Sequence, residues 1–206
     1  MMPTGFWLIR HAIVAENERA RLYGVLDVPL CPQSLVAQVV QYRALAARLP
    51  RPARWVCTPL SRTRRTAEAI QAAGYPAQEL EVAPGLIEQH LGEYQGLVHA
   101  ELPPLLAAPA HPFWPLSAEE RPPGGESFAE VVARVGAALE DLADAYAGEE
   151  VVAVCHGGSI RAAVAHAMGV DARAALHLSV QNLSLTRLQR HPEGWQVGCV
   201  NELLGI

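Results

Sequence analysis

The chain has 206 residues, of which 50% are hydrophobic and 18% charged, with a formal net charge of −5. This length is enough for a full-sized core in one domain, and the acidic balance excludes a general affinity for nucleic acid, which needs a basic surface. No run approaches the roughly 20 apolar residues of a membrane helix, so we expect no membrane association. Residues 1–5 lack the basic region of a signal peptide, which predicts a cytoplasmic protein.

Apolar runs alternate with helical patterns along the chain, which is typical of βα units around a largely parallel sheet. In the first half, the pattern predicts a strand over residues 5–10, a helix over 34–49, a strand over 54–57, a helix ending at 73 and a weak strand over 79–82. The pair Thr58-Pro59 suits the N-cap and the first position of the second helix. This order of elements predicts an α/β domain.

Residues 85–125 lose this periodicity and contain seven prolines. The segment is too long for an ordinary connection, so we expect a cap or loop insertion that overhangs a functional site. After it, Ser127 and Glu130 form a capping box that predicts a helix over 127–146. A strand over 151–155, a helix over 159–168 and an antiparallel edge of two strands over 184–188 and 195–200 complete the pattern. We expect a single domain over residues 1–206.

Two of the predicted strands end in a histidine. The first strand runs into Arg10-His11, and the strand over 151–155 runs into His156-Gly157-Gly158. The carboxyl ends of parallel strands meet at one edge of a sheet, where α/β folds usually place their active sites. We therefore expect His11 and His156 to meet in one cleft.

Six segments in chain order carry a resemblance to a known family. They are Arg10-His11 with Asn17, Gly24-x-x-Asp27-x-Pro29-Leu30, Thr58-Pro59-Leu60-x-Arg62-x-x-x-Thr66-Ala67, Leu86-x-Glu88 with Gly92-Glu93-Tyr94-Gln95-Gly96, Gly124-Gly125-Glu126-Ser127, and His156-Gly157-Gly158-x-Ile160-Arg161. Together they resemble the histidine phosphatase superfamily, which includes cofactor-dependent phosphoglycerate mutases and α-ribazole phosphatase. The resemblance implies a phosphoglycerate mutase-like fold, a three-layer α/β/α sandwich whose mostly parallel sheet has an antiparallel edge.

The residue types in these segments suit phosphoryl transfer without a metal or a cofactor. A neutral His11 imidazole can attack phosphorus and form a phosphohistidine that water then hydrolyses. Arg10 and Arg62 can each fork onto nonbridging oxygens, and His156 can donate to the same oxygens or to the charge that develops in the transition state. The predicted phosphate-binding residues are Arg10, Asn17, Arg62, His156 and Gly157.

The leaving group also needs a proton, and Glu88 is our candidate general acid. It precedes the proline-rich segment, where a cap can exclude water and raise the pKa of a carboxyl, and the resemblance implies the same role. Glu93 is its nearest rival. Thr58-Pro59 and Gly157-Gly158 should each present free backbone amides at a helix start, where anions bind well.

Three positions depart from the family pattern. Ala12 replaces the glycine that usually follows the histidine, and Val14 stands where a Thr or Ser hydroxyl is common. Losing one neutral hydrogen bond near the phosphate costs roughly 1 kcal/mol, so activity should survive. Gln89 stands where the mutases have an arginine that binds the substrate carboxylate. This difference favours hydrolysis over transfer of the phosphoryl group from one substrate oxygen to another.

The sequence therefore predicts a phosphatase that acts on a small-molecule phosphomonoester, with α-ribazole 5'-phosphate as one candidate substrate. Two alternatives remain open at this point: a cofactor-dependent phosphoglycerate mutase, and a catalytically inactive scaffold that binds a phospho-ligand or a protein. The sequence also leaves open whether the protein is a monomer or a homodimer.

Overall fold

A six-stranded mixed sheet forms the centre of the computed structural model, which describes residues 2–205. The strands are β1 (Thr4–Arg10), β2 (Arg54–Cys57), β3 (Leu80–Val82), β4 (Glu150–Cys155), β5 (Leu185–His191) and β6 (Gly194–Glu202). They lie in the order β3-β2-β4-β1-β5-β6. The pairs from β3 to β1 are parallel, whereas β5 is antiparallel to both β1 and β6. The predicted mostly parallel sheet with an antiparallel edge is confirmed.

The central strand β1 is buried on both faces. Phe6 and Leu8 belong to one core cluster, and Trp7 and Ile9 belong to the other. This division follows from the two-residue repeat of a strand, which sends successive side chains to opposite faces of the sheet. The continuous apolar run from Phe6 to Ile9 is expected for a strand that is covered by helices on both sides.

Helices cover both faces of the sheet. They are α1 (Glu16–Arg19), α2 (Pro32–Ala37), α3 (Val39–Arg48), α4 (Ser61–Ala72), α5 (Phe128–Ala145), α6 (Gly157–Met168) and α7 (Ala172–Ala175). Val135 of α5 and Ile160 of α6 pack in the cluster that contains Phe6. Leu45 of α3 and Ile70 of α4 pack in the opposite cluster. The three-layer α/β/α arrangement is confirmed.

The single helix expected over residues 34–49 is wrong. The structure has two helices, α2 and α3, with a break at Gln38, whose φ of −92° and ψ of 17° leave the helical region. Three β-branched residues surround the break, Val36, Val39 and Val40, and such residues have low helix propensity. The spacing of apolar residues continues through Gln38, so periodicity alone does not detect the break.

Residues 85–125, which we call the cap, contain short 3₁₀ turns and no long helix. The cap has its own apolar cluster, which it shares with Leu22 and which includes Leu91, Tyr94, Leu102 and Leu116. The helix that follows begins as predicted, because Ser127 accepts a hydrogen bond from the Glu130 amide while the Glu130 carboxylate accepts one from the Ser127 amide. Across residues 2–205 we find no helix with the length and apolar character needed to cross a membrane.

Candidate active site

Two histidines lie side by side at the carboxyl ends of β1 and β4. The parallel register pairs Arg10 with Cys155, so the residues that follow them are adjacent. The ring centroids of His11 and His156 are 5.3 Å apart, with an interplanar angle of 62°. Only 1% of His11 and none of His156 is exposed. The predicted meeting of the two imidazoles is confirmed.

The hydrogen bonds of His11 define which nitrogen is free to react. Its Nδ1 lies 2.7 Å from the carbonyl oxygen of Ala12. Because a carbonyl oxygen only accepts, Nδ1 carries the proton of the neutral ring and Nε2 keeps its lone pair. The backbone around the ring is also fixed, since Thr66 Oγ1 accepts from the Ala12 amide at 3.0 Å and Asn182 Nδ2 donates to the His11 carbonyl at 2.7 Å.

His156 has the opposite tautomer. Its Nδ1 accepts a hydrogen bond from Arg62 Nε at 3.4 Å, so the proton of the neutral ring lies on Nε2. That nitrogen is 2.9 Å from Thr58 Oγ1, which in turn lies 3.1 Å from Thr63 Oγ1. Each ring therefore has a defined orientation before any substrate arrives.

The expectation that Thr58-Pro59 begins a helix and presents free amides there is wrong. Helix α4 begins at Ser61, and Leu60 occupies its N-cap position without a side-chain hydrogen bond. The Thr58 hydroxyl is buried; it accepts a hydrogen bond from the Leu60 amide at 3.4 Å, and its other hydrogen-bond partners are His156 and Thr63. The Thr58 amide donates to Thr63 Oγ1 at 3.2 Å, so neither of these amides is free for an anion. By contrast, α6 begins at Gly157 as expected, although of the two amides predicted to be free the Gly158 amide donates to Glu88 Oε2 at 3.1 Å.

The Arg62 side chain lies next to His156 and donates to backbone carbonyls of the loop after α1. It lies in the first turn of α4 as predicted, but its side chain is fully buried, and Nη1 and Nη2 each donate at 2.7 Å to the carbonyls of Leu26 and Gly24. Both terminal nitrogens, from which a fork onto phosphate was predicted, thus already have backbone acceptors, and each retains a second N–H. Arg62 ties the loop after α1 to His156.

Two other arginines face the site directly. Arg10 Nη1 donates to the Val180 carbonyl at 2.6 Å, and its Nε is buried with no hydrogen-bond partner in the described chain. Arg161 donates to the carbonyls of Leu178 at 2.8 Å and Gly157 at 3.1 Å. Sequence reasoning quoted Arg161 within a motif but assigned it no role. Its place one turn after Gly157, the first residue of α6, was the signal that could have identified it.

Glu88 lies at the start of α6. Its Oε2 accepts from the Gly158 amide at 3.1 Å, and its Oε1 accepts from the Gln89 amide at 2.9 Å. A Cβ on Gly158 would lie 2.1 Å from Oε1, so this approach requires glycine. Glu93, the rival candidate, is exposed in a 3₁₀ turn at Gly92–Tyr94 and does not line the cavity described below. The structure brings Glu88, and not Glu93, to the site.

Asn17 lies apart from this cluster. It is exposed in α1, and its Nδ2 donates to Glu18 at 2.7 Å. Val14, which stands in place of a hydroxyl residue, is buried and pairs with Leu30 in an isolated bridge. Neither residue lines the cavity.

A cavity of about 240 Å³ opens beside the two strand ends. It is lined by Arg10, Arg19, Arg21, Leu22, Tyr23, Gly24, Glu88, Gln89, Leu91, His99, Phe113, Trp114, Pro115, Gly157 and Arg161. Phe113, Trp114 and Pro115 come from the cap, which therefore overhangs the site as expected. Trp114 Nε1 donates to Gln89 Oε1 at 3.1 Å, and this bond joins two parts of the cap next to Glu88.

Burial and the neighbouring guanidinium charges keep the two histidines neutral. Burial, followed by the charges of Arg62 and Arg10, holds the pKa of His11 well below its usual value of 6.5. Burial and Arg62 hold the pKa of His156 well below 6.5 in the same way. Burial also lowers the pKa of Arg161 to about 10, against the opposing attraction of Glu88, so this guanidinium stays charged at neutral pH. The site thus combines neutral imidazoles with permanent cations.

These depressed pKa values predict that the folded protein loses stability in mild acid. Below pH 6.5 both histidines become protonated in the unfolded chain but stay neutral in the folded chain. The free energy of unfolding is therefore highest above this pH and decreases as the pH falls. Each histidine lowers the free energy of unfolding by up to about 1.4 kcal/mol for each pH unit below 6.5. Urea unfolding at a series of pH values between about 7.5 and 5.5 measures this dependence. A His11→Asn, His156→Asn double variant should have a flatter profile, and an equally steep one would contradict the assignment.

No three His, Cys, Asp or Glu side chains among residues 2–205 are grouped to hold a metal ion. The groups that can meet an anion here are the arginines, the histidines and the Gly157 amide at the start of α6.

The sequence profile of the histidine phosphatase superfamily (branch 1) matches residues 6–203. The chain belongs to the histidine phosphatase superfamily. This confirms the resemblance read from the six segments. The expected enzyme class, a phosphoric monoester hydrolase, is borne out by the superfamily together with the phosphatases among the relatives described next.

Relatives within the histidine phosphatase superfamily include proteins with named activities. A metal-independent phosphoserine phosphatase of Arabidopsis thaliana is 33% identical over 75% of this chain and 65% of its own length. A glucosyl-3-phosphoglycerate phosphatase of Mycolicibacterium vanbaalenii is 32% identical over 79% of this chain and 73% of its own. The solved structure of a mycobacterial glucosyl-3-phosphoglycerate phosphatase superposes with a TM-score of 0.81 at 27% identity, covering 97% of this chain and 99% of that one.

Proposed function

We propose that this protein is a metal-independent phosphatase that hydrolyses a small phosphomonoester through a phosphohistidine on His11. The observation that carries the proposal is the tautomer of His11, whose protonated Nδ1 binds the Ala12 carbonyl and leaves Nε2 as a neutral nucleophile. A neutral nucleophile approaches a phosphate dianion without charge repulsion. The named relatives, which are phosphatases, support the same reaction class.

In the first step, His11 Nε2 forms a bond to phosphorus while the bond from phosphorus to the ester oxygen breaks. The departing oxygen takes a proton from Glu88 in its carboxylic acid form. In the second step, Glu88 as a carboxylate takes a proton from water, the water oxygen bonds to phosphorus, and the bond to Nε2 breaks. The products are the alcohol and inorganic phosphate, and both residues return to their starting states.

The cations of the site stabilise the charge on the transferring group. Arg10 and Arg161 line the cavity, and the buried Arg62 lies behind His156. Fixed donors of this kind need no reorganisation during the reaction, which is why they lower the barrier. His156 Nε2, now bound to the Thr58 hydroxyl, is the further donor proposed for the nonbridging oxygens.

Gln89 supports hydrolysis over mutase activity. Its side chain is 1% exposed, and its amide accepts from Trp114 and donates to the Glu126 carbonyl at 2.9 Å. Position 89 therefore has no guanidinium that could bind a substrate carboxylate, and the Gln89 side-chain amide is already engaged by Trp114 and Glu126. A mutase would require a 2,3-bisphosphoglycerate primer, and we expect none to be needed.

We expect the pure protein to hydrolyse p-nitrophenyl phosphate in the presence of EDTA and to form an acid-labile phosphoenzyme. Turnover is followed at neutral and mildly acidic pH, and the phosphoenzyme is trapped by rapid quench and mapped by mass spectrometry to His11. Candidate natural substrates are then compared, and they include α-ribazole 5'-phosphate, whose hydrolysis by this protein stays a prediction. Absence of both turnover and phosphoenzyme would contradict the proposal.

A further inference from the structure

One turn of the cap, residues 111–116, forms part of the wall of the cavity. Two backbone hydrogen bonds fix its shape, from the His111 amide to the Leu116 carbonyl and from the Trp114 amide to the His111 carbonyl, both at 3.2 Å. Phe113 and Trp114 of this turn line the cavity. Phe113 is 63% exposed, so packing within the cap does not hold it. The position of the turn therefore shapes the mouth of the cavity.

A pair of histidines joins this turn to the rest of the domain. His111 Nε2 lies 3.2 Å from Nε2 of His177, which follows α7, and the ring centroids are 4.6 Å apart. The Phe113 ring also packs against His177, with 5.6 Å between the centroids. The next residue is Leu178, whose carbonyl accepts from Arg161. The pair thus connects the cap to the loop that positions the arginines of the cavity.

A neighbouring hydrogen bond defines the tautomers of both rings. His111 Nδ1 accepts from the Phe113 amide at 3.2 Å, so the proton of the neutral His111 ring lies on Nε2. That N–H donates to His177 Nε2, which must therefore be unprotonated, and the proton of the neutral His177 ring lies on Nδ1. The contact is complete only when both imidazoles are neutral.

Protonation disrupts the contact on either side. A proton on His177 Nε2 sets two N–H groups against each other, and a proton on His111 Nδ1 does the same with the Phe113 amide. Arg173 of α7 and Glu119 of the cap are the charged side chains that line the surface pocket beside His111. Burial, followed by the charges of His177 and Arg173, lowers the pKa of His111. The contact should therefore break first at the exposed His177, in the pH range where histidines titrate.

We propose that the hydrogen bond between His111 and His177 holds the cap turn over the cavity, and that acid breaks this bond and weakens substrate binding. Both are positioning residues, because neither lines the cavity. A released turn takes Phe113 and Trp114 with it, whereas the catalytic histidines and the general acid are held by contacts outside the turn. The effect is therefore expected in KM and not in kcat. This kinetic expectation rests on the proposed function.

A comparison of the wild type with His177→Gln isolates the pH dependence of this contact. The Gln side-chain oxygen can accept from His111 but does not titrate. Between pH 7.5 and 5.5, KM for p-nitrophenyl phosphate should rise about tenfold more in the wild type, the size expected for one lost hydrogen bond with a donor left unpaired. The kcat values should change equally. Titration of the substrate and of the catalytic groups is common to both proteins and cancels in the ratio.

Two further variants complete the comparison. His177→Leu has no acceptor for His111, so its KM should already be raised about tenfold at pH 7.5 and should approach the wild-type value at pH 5.5. His191→Gln is the control, because it removes a histidine at the end of β5 and should keep the wild-type pH profile. The inference would be overturned by equal pH dependence of KM in the wild type and His177→Gln, or by a wild-type KM in His177→Leu at pH 7.5.

Hydrogen exchange tests the contact without reference to catalysis. If no substrate is hydrolysed, the proposed function fails, and the exchange of the backbone amides in residues 111–116 decides this inference by itself. At pH 5.5 these amides should exchange about tenfold faster in the wild type than in His177→Gln at the same pH, so that the intrinsic effect of pH on exchange cancels. Equal protection of the turn in the two proteins at pH 5.5 would reject the proposal.

Discussion

Replacing His11 by Asn is expected to lower kcat/KM for p-nitrophenyl phosphate by at least about 10⁴-fold, because the covalent route disappears with the nucleophile. The Asn side chain keeps an N–H donor for the Ala12 carbonyl, so the loop should retain its conformation. It offers no basic nitrogen to phosphorus. No acid-labile phosphoenzyme should form.

His191→Asn is the control for the His11 substitution. His191 ends β5 at the antiparallel edge, and its Nε2 has no hydrogen-bond partner in the described chain, so the exchange removes no hydrogen bond of that nitrogen. This variant should retain wild-type kinetics. If His11→Asn kept a large part of the activity with a trapped phosphoenzyme, another residue would have to be the nucleophile.

The architecture could be predicted from sequence patterns because the burial of strands and helix faces requires apolar residues at regular positions. Continuous apolar runs in β1 and β4 reflect cover on both faces, and the capping box at Ser127 defined the start of α5. The break at Gln38 was not predictable in this way. It depends on one residue's backbone angles, and the apolar spacing carries no information about them.

The site was predictable where it depends on strand ends, and less so where it depends on distant carbonyls. His11 and His156 follow adjacent parallel strands, so sequence alone could place them together. The hydrogen bonds of Arg62 to Leu26 and Gly24 come from a loop far away in sequence. Nothing in the local pattern around Arg62 indicates that its terminal nitrogens already have acceptors.

One loop connects several parts of the site that the sequence presents as unrelated. Carbonyls of Leu178 and Val180 hold Arg161 and Arg10, and Asn182 holds the backbone of His11. A loop that carries none of the reacting groups therefore positions three elements of the site. Segments of this kind escape motif-based reasoning because they act through backbone carbonyls, which every residue type provides.

Gly158→Ala is expected to lower kcat for alkyl phosphates such as glycerol 3-phosphate by at least about 100-fold, the usual minimum for loss of a general acid. The added Cβ would lie 2.1 Å from Glu88 Oε1, so the carboxyl group must move away from the start of α6. Hydrolysis of p-nitrophenyl phosphate should fall much less, because p-nitrophenolate leaves without a proton. A merely structural disturbance would reduce both rates alike.

Two further variants separate displacement of the acid from a general effect of the extra methyl group. Glu88→Gln should reproduce the same difference between alkyl and nitrophenyl substrates, because the amide cannot supply the proton. Gly198→Ala on β6 introduces the same methyl group where the nearest atoms are 3.4–3.6 Å away, an ordinary contact distance, and it should leave both rates unchanged. Steady-state kinetics on the two substrate types measure the difference. Equal losses on both substrates in Gly158→Ala would show that Glu88 does not protonate the leaving group.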